Sequence, residues 1–231
     1  PDILRLGAGD CFDVMNFHYY PAFDKRWNTF GDGLLGKAIY LRTHELATYG
    51  VADKPLMVTE AGWHSNNYPG FPGTPDLQSG YVVKVFVQGM AADVESLIWW
   101  TWIDPPRPYG ENGLLTMALS KKPAYYAAQY AALTLGQAQF MEVLNLDGDR
   151  RGYRFQSSAG RRLYVLWVWH DPTSSEGATG TYDVGLPLSR AQVTDMYGNP
   201  VMVVRDDDDG KHDGTVHVQI GVHPIYVEAI P

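Results

Sequence analysis

Alternation of two periodicities constrains this chain more than any other feature. Within residues 1–136, three apolar runs of strand length stand out: FDVMNFHYY (12–20), PLMVTE (55–60) and SLIWWTWID (96–104). After each comes a stretch with apolar residues at helical spacing, which predicts helices over 33–50, 76–92 and 121–136. The first is carried by Leu34, Leu35, Ala38, Ile39 and Leu46 and is stopped by Gly50. Three consecutive strand–helix units imply parallel strands with right-handed crossovers. Continuous apolar strands fit a sheet covered on both faces. Two long Pro/Gly-rich loops, 61–75 and 104–113, follow the ends of the second and third strands. In parallel α/β folds that edge of the sheet is where sites are built.

From about residue 138 the texture changes. MEVLNL, GYRFQ, RRLYVLWVW, GTYDVGL, AQVTDMYG, PVMVV, TVHVQIG and PIYVEAI are short runs separated by Gly, Asp, Asn and Ser. They predict an antiparallel β-sandwich or small barrel. The expected organisation is therefore α/β followed by all-β, with domains at 1–137 and 138–231.

Composition excludes several partners. A net charge of −8 supplies no basic field to meet phosphates, so no nucleic acid is expected. No run of 18 apolar residues occurs, so no membrane-spanning helix is expected. PDILRLGAGD lacks the basic region and apolar core of a signal peptide; the compartment stays open, and a secreted or extracellular one is compatible. The single cysteine, Cys11, excludes an internal disulfide and reads as a small core residue at a strand start. The run Asp206 to Asp209 reads as a solvated hairpin tip, since it lacks the ligand alternation of a calcium loop. No metal and no cofactor is implied.

Aromatic residues make up 13% of the chain and cluster around 17–30, 63–71 and 99–109. A core accounts for many, but less readily for Tyr68, Phe71 and Tyr109, which stand beside Pro, Gly and Asn. Flat apolar faces next to hydrogen-bonding groups suit sugar rings, among other ligands. Strand alternation places Asn16, His18 and Tyr20 on one face of the first strand. It places Leu56, Val58 and Glu60 together on the second, and Ile98, Trp100, Trp102 and Asp104 together on the third. If those faces meet, then Glu60, His18, Tyr20 and Trp100 or Trp102 converge at the C-terminal mouth of a barrel. A carboxylate in such an aromatic cup can attack an anomeric carbon. A phenol can hold its orientation, an imidazole can donate to a sugar hydroxyl, and indoles can stack. Each residue also has a plain reading: Glu60 as a surface acid, His18 as a satisfied core histidine, the tryptophans as barrel filling.

FHYYP, VTEAGW and IWWTWID, in that order and at βα spacing, resemble the last three strands of retaining glycoside hydrolases of the (β/α)8 superfamily called clan A. GLLTMALSKKPAYYAAQ is similar to the segment entering the final barrel helix there. The tone is closest to the β-xylosidase-like and cellulase-like families. The resemblance covers about residues 11–136; TDMYGNPV and PIYVE are similar to the β-domain that many such enzymes carry behind the barrel. It implies strands six to eight of a TIM barrel plus a β-sandwich, and hydrolysis of β-linked glycans or glycosides by double displacement. It makes Glu60 the nucleophile, His18 and Tyr20 substrate-site residues, Trp100 or Trp102 the subsite tryptophan, and Trp63 with His64 a rim.

The same resemblance exposes an absence. The family's acid/base glutamate follows strand four in an Asn-Glu pair, and that dipeptide does not occur here; Glu111 precedes Asn112 in the reverse order. A (β/α)8 barrel needs eight units and this stretch supplies three. The expectation is a second chain or N-terminal fragment that completes the barrel, with a saccharide as substrate. Two other readings stay open: a non-catalytic carbohydrate-binding or assembly module that keeps the aromatic cup, and an ordinary three-unit α/β domain in which Glu60 is structural.

Overall fold

The computed structural model describes residues 2–21, 27–67, 71–106, 110–170 and 180–231. Tyr68 and Tyr109, singled out above, lie outside them. The fold is mixed α/β with several sheets. Strands β1 (Met15–Tyr19), β2 (Leu56–Ala61) and β3 (Val94–Trp99) form a parallel sheet in the order β1-β2-β3. Between and around them run a short α1 (Asp2–Arg5), α2 (Gly33–Tyr40), α3 (Pro75–Ala91) and α4 (Pro123–Leu135). Beyond them come eight strands: β4 (Gln139–Val143), β5 (Arg150–Gln156), β6 (Arg162–Val168), β7 (Tyr182–Leu186), β8 (Arg190–Thr194), β9 (Pro200–Arg205), β10 (Val216–Ile220) and β11 (Ile225–Ala229). Six of these form an antiparallel sheet in the order β4-β5-β6-β11-β8-β9, while β10 and β7 form a separate two-stranded ladder.

Local chemistry fixes the helix ends. Thr74 caps α3, its hydroxyl accepting from the Leu77 amide at 3.1 Å, and Pro75 occupies the first turn, where its missing N–H costs nothing. α4 likewise starts on a proline, Pro123, and ends at Gly136. The stretch predicted as one helix over 33–50 is α-helical only to Tyr40 and continues through wider π turns at Leu41–Leu46. Ile39, expected to be buried, is exposed.

Strand β6 is the centre of the molecule. Its burial runs through six consecutive residues, Leu163 to Val168. Leu163, Val165 and Trp167 pack with Val82, Val83 and Val87 of α3 and with Ala127, Ala131 and Leu135 of α4. Tyr164, Leu166 and Val168 pack with Val184 and Leu186 of β7 and Val216, Val218 and Ile220 of β10. The six-stranded sheet is therefore covered by helices on one face and by the β7–β10 ladder on the other. Polar links cross the same seam: Arg151 Nε donates to Asp32 at 2.6 Å, and Gln88 accepts from the Leu34 amide while donating to the Tyr153 hydroxyl.

Among the described residues, the parallel sheet is packed by helices on one face. Leu56, Val58 and Ala61 of β2 are fully buried against Leu34, Ala38, Leu46 and Val85 of α2, its continuation and α3. The opposite face stays open, with Ile98 49% exposed. Three expectations need correction here. Cys11 is exposed and ends a 3-10 turn, Ala8–Cys11, ahead of β1. The third strand stops at Trp99 instead of 104, and its downstream loop is held by a buried ion pair. Lys122 Nζ lies 2.8 Å from Asp104 Oδ1, which also accepts from the Gly113 amide, and Lys122 donates as well to the Glu111 carbonyl. Asp104 is committed to that pair. Leu56 and Val58 face the helices, so they do not share a side with Glu60. At the Asp206–Asp209 tip, Asp206, Asp208 and Asp209 accept from the backbone amides of Thr215, Arg205 and Lys211.

Two outcomes follow from this packing. Removing one member of a buried, hydrogen-bonded ion pair strands the other charge. Lys122→Met is expected to lower unfolding free energy by about 3–5 kcal/mol, and Asp104→Asn in the same chain to recover most of it, as read by urea denaturation. Lys84 on α3 has its pKa lowered to about 8 by burial, with the Asp32 carboxylate pulling the other way. The folded state then releases this proton before the unfolded chain does, so Lys84 makes stability rise between about pH 8 and the free-lysine value of about 10.4. Comparing urea midpoints across that window, the Lys84→Met chain should lack the rise.

Candidate active site

Glu60 reaches its position through a break in strand regularity. Across the β1–β2 pair, Phe17 lies opposite Val58 and His18 opposite Glu60, so Thr59 is extra. Across β2–β3, Val58 lies opposite Leu97 and Ala61 opposite Trp99, which leaves Thr59 and Glu60 facing one residue. This is a β-bulge, two residues against one on both sides. Strict alternation would put Glu60 on the helix side with Leu56 and Val58. With the bulge, Ala61 returns to the helix layer and Glu60 turns to the open face.

There it meets the two residues that alternation assigns to the same face of β1. The Tyr20 hydroxyl donates to Glu60 Oε2 at 3.1 Å, and His18 Nδ1 lies 3.4 Å from the same oxygen. The carboxylate is about one-third exposed, 35%, and the imidazole 49%. Burial, first, and then the charge of Glu60 and the bond to it push the Tyr20 phenol well above its ordinary pKa. Tyr20 therefore stays a proton-bearing donor to the carboxylate. Its ring meets the edge of Trp100 at a centroid distance of 6.5 Å and 87°. The Trp100 amide donates to the Ala61 carbonyl at 2.9 Å, which fixes the start of the loop, and the Trp100–Thr101 peptide is cis. The structure thus brings together Glu60, His18, Tyr20 and Trp100.

Two of the tryptophans named from sequence lie elsewhere. Trp63 is 2% exposed; His64 stacks on it at 5.0 Å, Tyr81 tilts against it at 5.4 Å, and its indole N–H donates to the Pro72 carbonyl. Its faces are covered by protein, so it does not form a rim. Burial also lowers the pKa of His64, opposed by its bond to the Phe71 carbonyl. Trp102 is 56% exposed but sets its edge against Tyr125. It lines a mainly apolar cleft of about 780 Å³ with Phe86, Met90, Leu97, Trp99 and Leu135. Of the two, Trp100 is the one in ring contact with Tyr20, and Trp102 the one in ring contact with Tyr125.

Supporting residues were missed in the sequence. Gln78 is fully buried and its amide nitrogen donates to the carbonyls of Trp63, Glu111 and Gly113, tying the loop after β2 to the loop after β3. Only its place on the buried side of a predicted helix could have flagged it. Gly62 has a clearer signal, a glycine directly after a strand end. A Cβ there would lie 2.4 Å from the Trp100 carbonyl oxygen, which is backbone and cannot swing aside. Glu111, the other carboxylate of that region, receives the Ser65 hydroxyl on its side chain at 3.3 Å.

No family model matches the sequence, and no curated protein matches it either. Solved structures do match its fold. The chain resembles a family 39 glycoside hydrolase from the gut symbiont Bacteroides cellulosilyticus WH2 with a TM-score of 0.72 and 22% identity, over 99% of this chain and 46% of that one. It resembles a family 51 arabinofuranosidase from Xanthomonas axonopodis pv. citri with a TM-score of 0.53 and 17% identity, over 98% and 54%. It resembles the catalytic domain of family 30 xylanase C from Talaromyces cellulolyticus with a TM-score of 0.50 and 12% identity, over 82% and 48%. All three carry glycoside hydrolase family names. The chain has a glycosidase-like fold and spans about half the length of these structures.

Because the Gly62 contact is with backbone, Gly62→Ala should drive the Trp100 loop away from Tyr20. The expected result is a loss of about 1–3 kcal/mol in urea unfolding, as for other overpacked sites, with an altered tryptophan emission spectrum.

Proposed function

We propose that this chain is the nucleophile-bearing part of a retaining glycoside hydrolase acting on β-linked glycans or glycosides. The observation that carries the reading is the Glu60 carboxylate at the end of β2, met on one oxygen by Tyr20 and His18. In this reading residues 1–137 are the last three βα units of a (β/α)8 barrel and residues 138–231 a β-sandwich behind it. Glu60 attacks the anomeric carbon, forming a glycosyl–enzyme ester as the aglycone leaves; water then cleaves the ester. Tyr20 holds the attacking carboxylate by its hydroxyl. His18, beside it and half exposed, is set to bond a sugar hydroxyl. Trp100 offers an indole at the site's edge.

The proton for the leaving group comes from a second carboxyl at about 5–5.5 Å, the retaining separation. Asp104 is held by Lys122, and Glu111 accepts from Ser65. We assign the acid/base to a chain segment or partner outside residues 1–231. The open face of the parallel sheet and the apolar cleft beside Trp102 support such a partner, since parallel sheets are ordinarily covered on both faces. The half-length match to the solved glycosidases supports it too.

The test is covalent trapping. With the completing segment present, an activated 2-deoxy-2-fluoro glycoside should label Glu60, seen as a mass shift on the peptide KPLMVTEAGWHS. Glu60→Gln should lose turnover by roughly 10⁴-fold or more, the scale of removing a nucleophile. Saccharide binding without turnover, unaffected by Glu60→Gln, would instead assign a non-catalytic binding module.

A further inference from the structure

We propose that Asn16 is the positioning residue that creates the geometry of Glu60, acting through the bulge at Thr59. The inference rests on the glycosidase reading above and extends it to a residue that touches neither Glu60 nor substrate. A bulge leaves a backbone group without its ladder partner. The extra residue here is Thr59, and the Asn16 side-chain oxygen accepts from its N–H at 3.2 Å. The same oxygen accepts from the Thr59 hydroxyl at 2.9 Å. One amide oxygen on β1 thus accepts from both donors of the extra residue on β2.

The consequence for Glu60 is a change of face. Regular pairing would carry the Glu60 carboxylate into the apolar layer of Leu34, Val58 and Val85, and would bring Ala61 out. The bulge exchanges the two. Burying a carboxylate among aliphatic side chains is unfavourable, so the acid itself resists the regular register. That resistance alone leaves the acid mobile, because it can also escape by fraying the strand end. Asn16 supplies the directional part: it selects one bulged backbone, and the Tyr20 contact at 3.1 Å follows from it. Asn16 lies in β1 and Tyr20 directly follows its last residue, Tyr19, so both ends of this arrangement are anchored on one stretch of chain.

The experiment compares three substitutions, with Glu60→Gln as the reference. Asn16→Leu keeps the branched shape and the number of heavy atoms and removes the acceptor. Asn16→Asp keeps an acceptor oxygen. Thr59→Val removes the hydroxyl bond but leaves the N–H. A crystal structure of the chain with Asn16→Leu should show Glu60 Oε2 beyond hydrogen-bond range of the Tyr20 hydroxyl. In the completed enzyme, Asn16→Leu should lower kcat about 100-fold with KM within about threefold, since an ångström of misplacement has that effect. Asn16→Asp should recover all but about tenfold of the loss. Thr59→Val should lose about fivefold, the worth of one hydrogen bond; it also keeps the test alive if Asn16→Leu fails to fold.

An unmoved Glu60 in the variant structure, a kcat within threefold of wild type, or Asn16→Asp no better than Asn16→Leu would overturn the positioning role. These results are separable from failure of the parent reading. If Glu60→Gln itself keeps full activity, the glycosidase assignment falls. If Glu60→Gln is inactive and Asn16→Leu and Thr59→Val are normal, only the role of Asn16 falls.

Discussion

The fold depends on one strand being dry on both sides. β6 carries two interleaved apolar rows, Leu163–Val165–Trp167 and Tyr164–Leu166–Val168, and each row belongs to a different core. Burial of this kind removes apolar surface from water twice over, at about 25 cal/mol per Å² on each side. It also couples the two parts of the chain. Helices α3 and α4, which flank the parallel strands, use the antiparallel sheet as their floor. α3, which packs on β6, also bonds Tyr153 of the neighbouring β5 through Gln88 and the loops after β2 and β3 through Gln78.

The parallel sheet shows the opposite condition. Its helix side is packed tightly, while the side bearing Asn16, His18, Glu60, Ile98 and Trp100 is open. An open face lets a polar cluster form without the full penalty of burying a carboxylate. It also leaves apolar residues beside that cluster. In the solved glycosidases of similar fold the aligned portion is about half of each chain.

Bulge and glycine together set the site's dimensions. The extra residue at Thr59 decides which way the acid points, and the absent side chain at Gly62 decides how near Trp100 comes. Neither operates through the residues that would do the chemistry. Both act on backbone, where a shift of a residue or a carbon atom has no graded alternative.

What the sequence by itself determined is the alternation of strand and helix, the change to short β runs near 138, and the faces of β1. His18 is legible because side chains alternate along β1, and Tyr20 because the residue after the strand keeps that alternation. Glu60 is legible as the acid at a strand end, but the inference that it shares a side with Leu56 and Val58 fails. Both the sided-ness of those apolar residues and the bulge had to be known, and neither is written in a six-residue pattern. Tertiary structure alone decided that Trp63 lies under His64 and Tyr81, that Trp102 turns to Tyr125, and that Asp104 is spent on Lys122. The physical reason is reach. Periodicity reports the neighbours along one element, whereas a bulge, a buried ion pair or a covered indole is selected by groups tens of residues away.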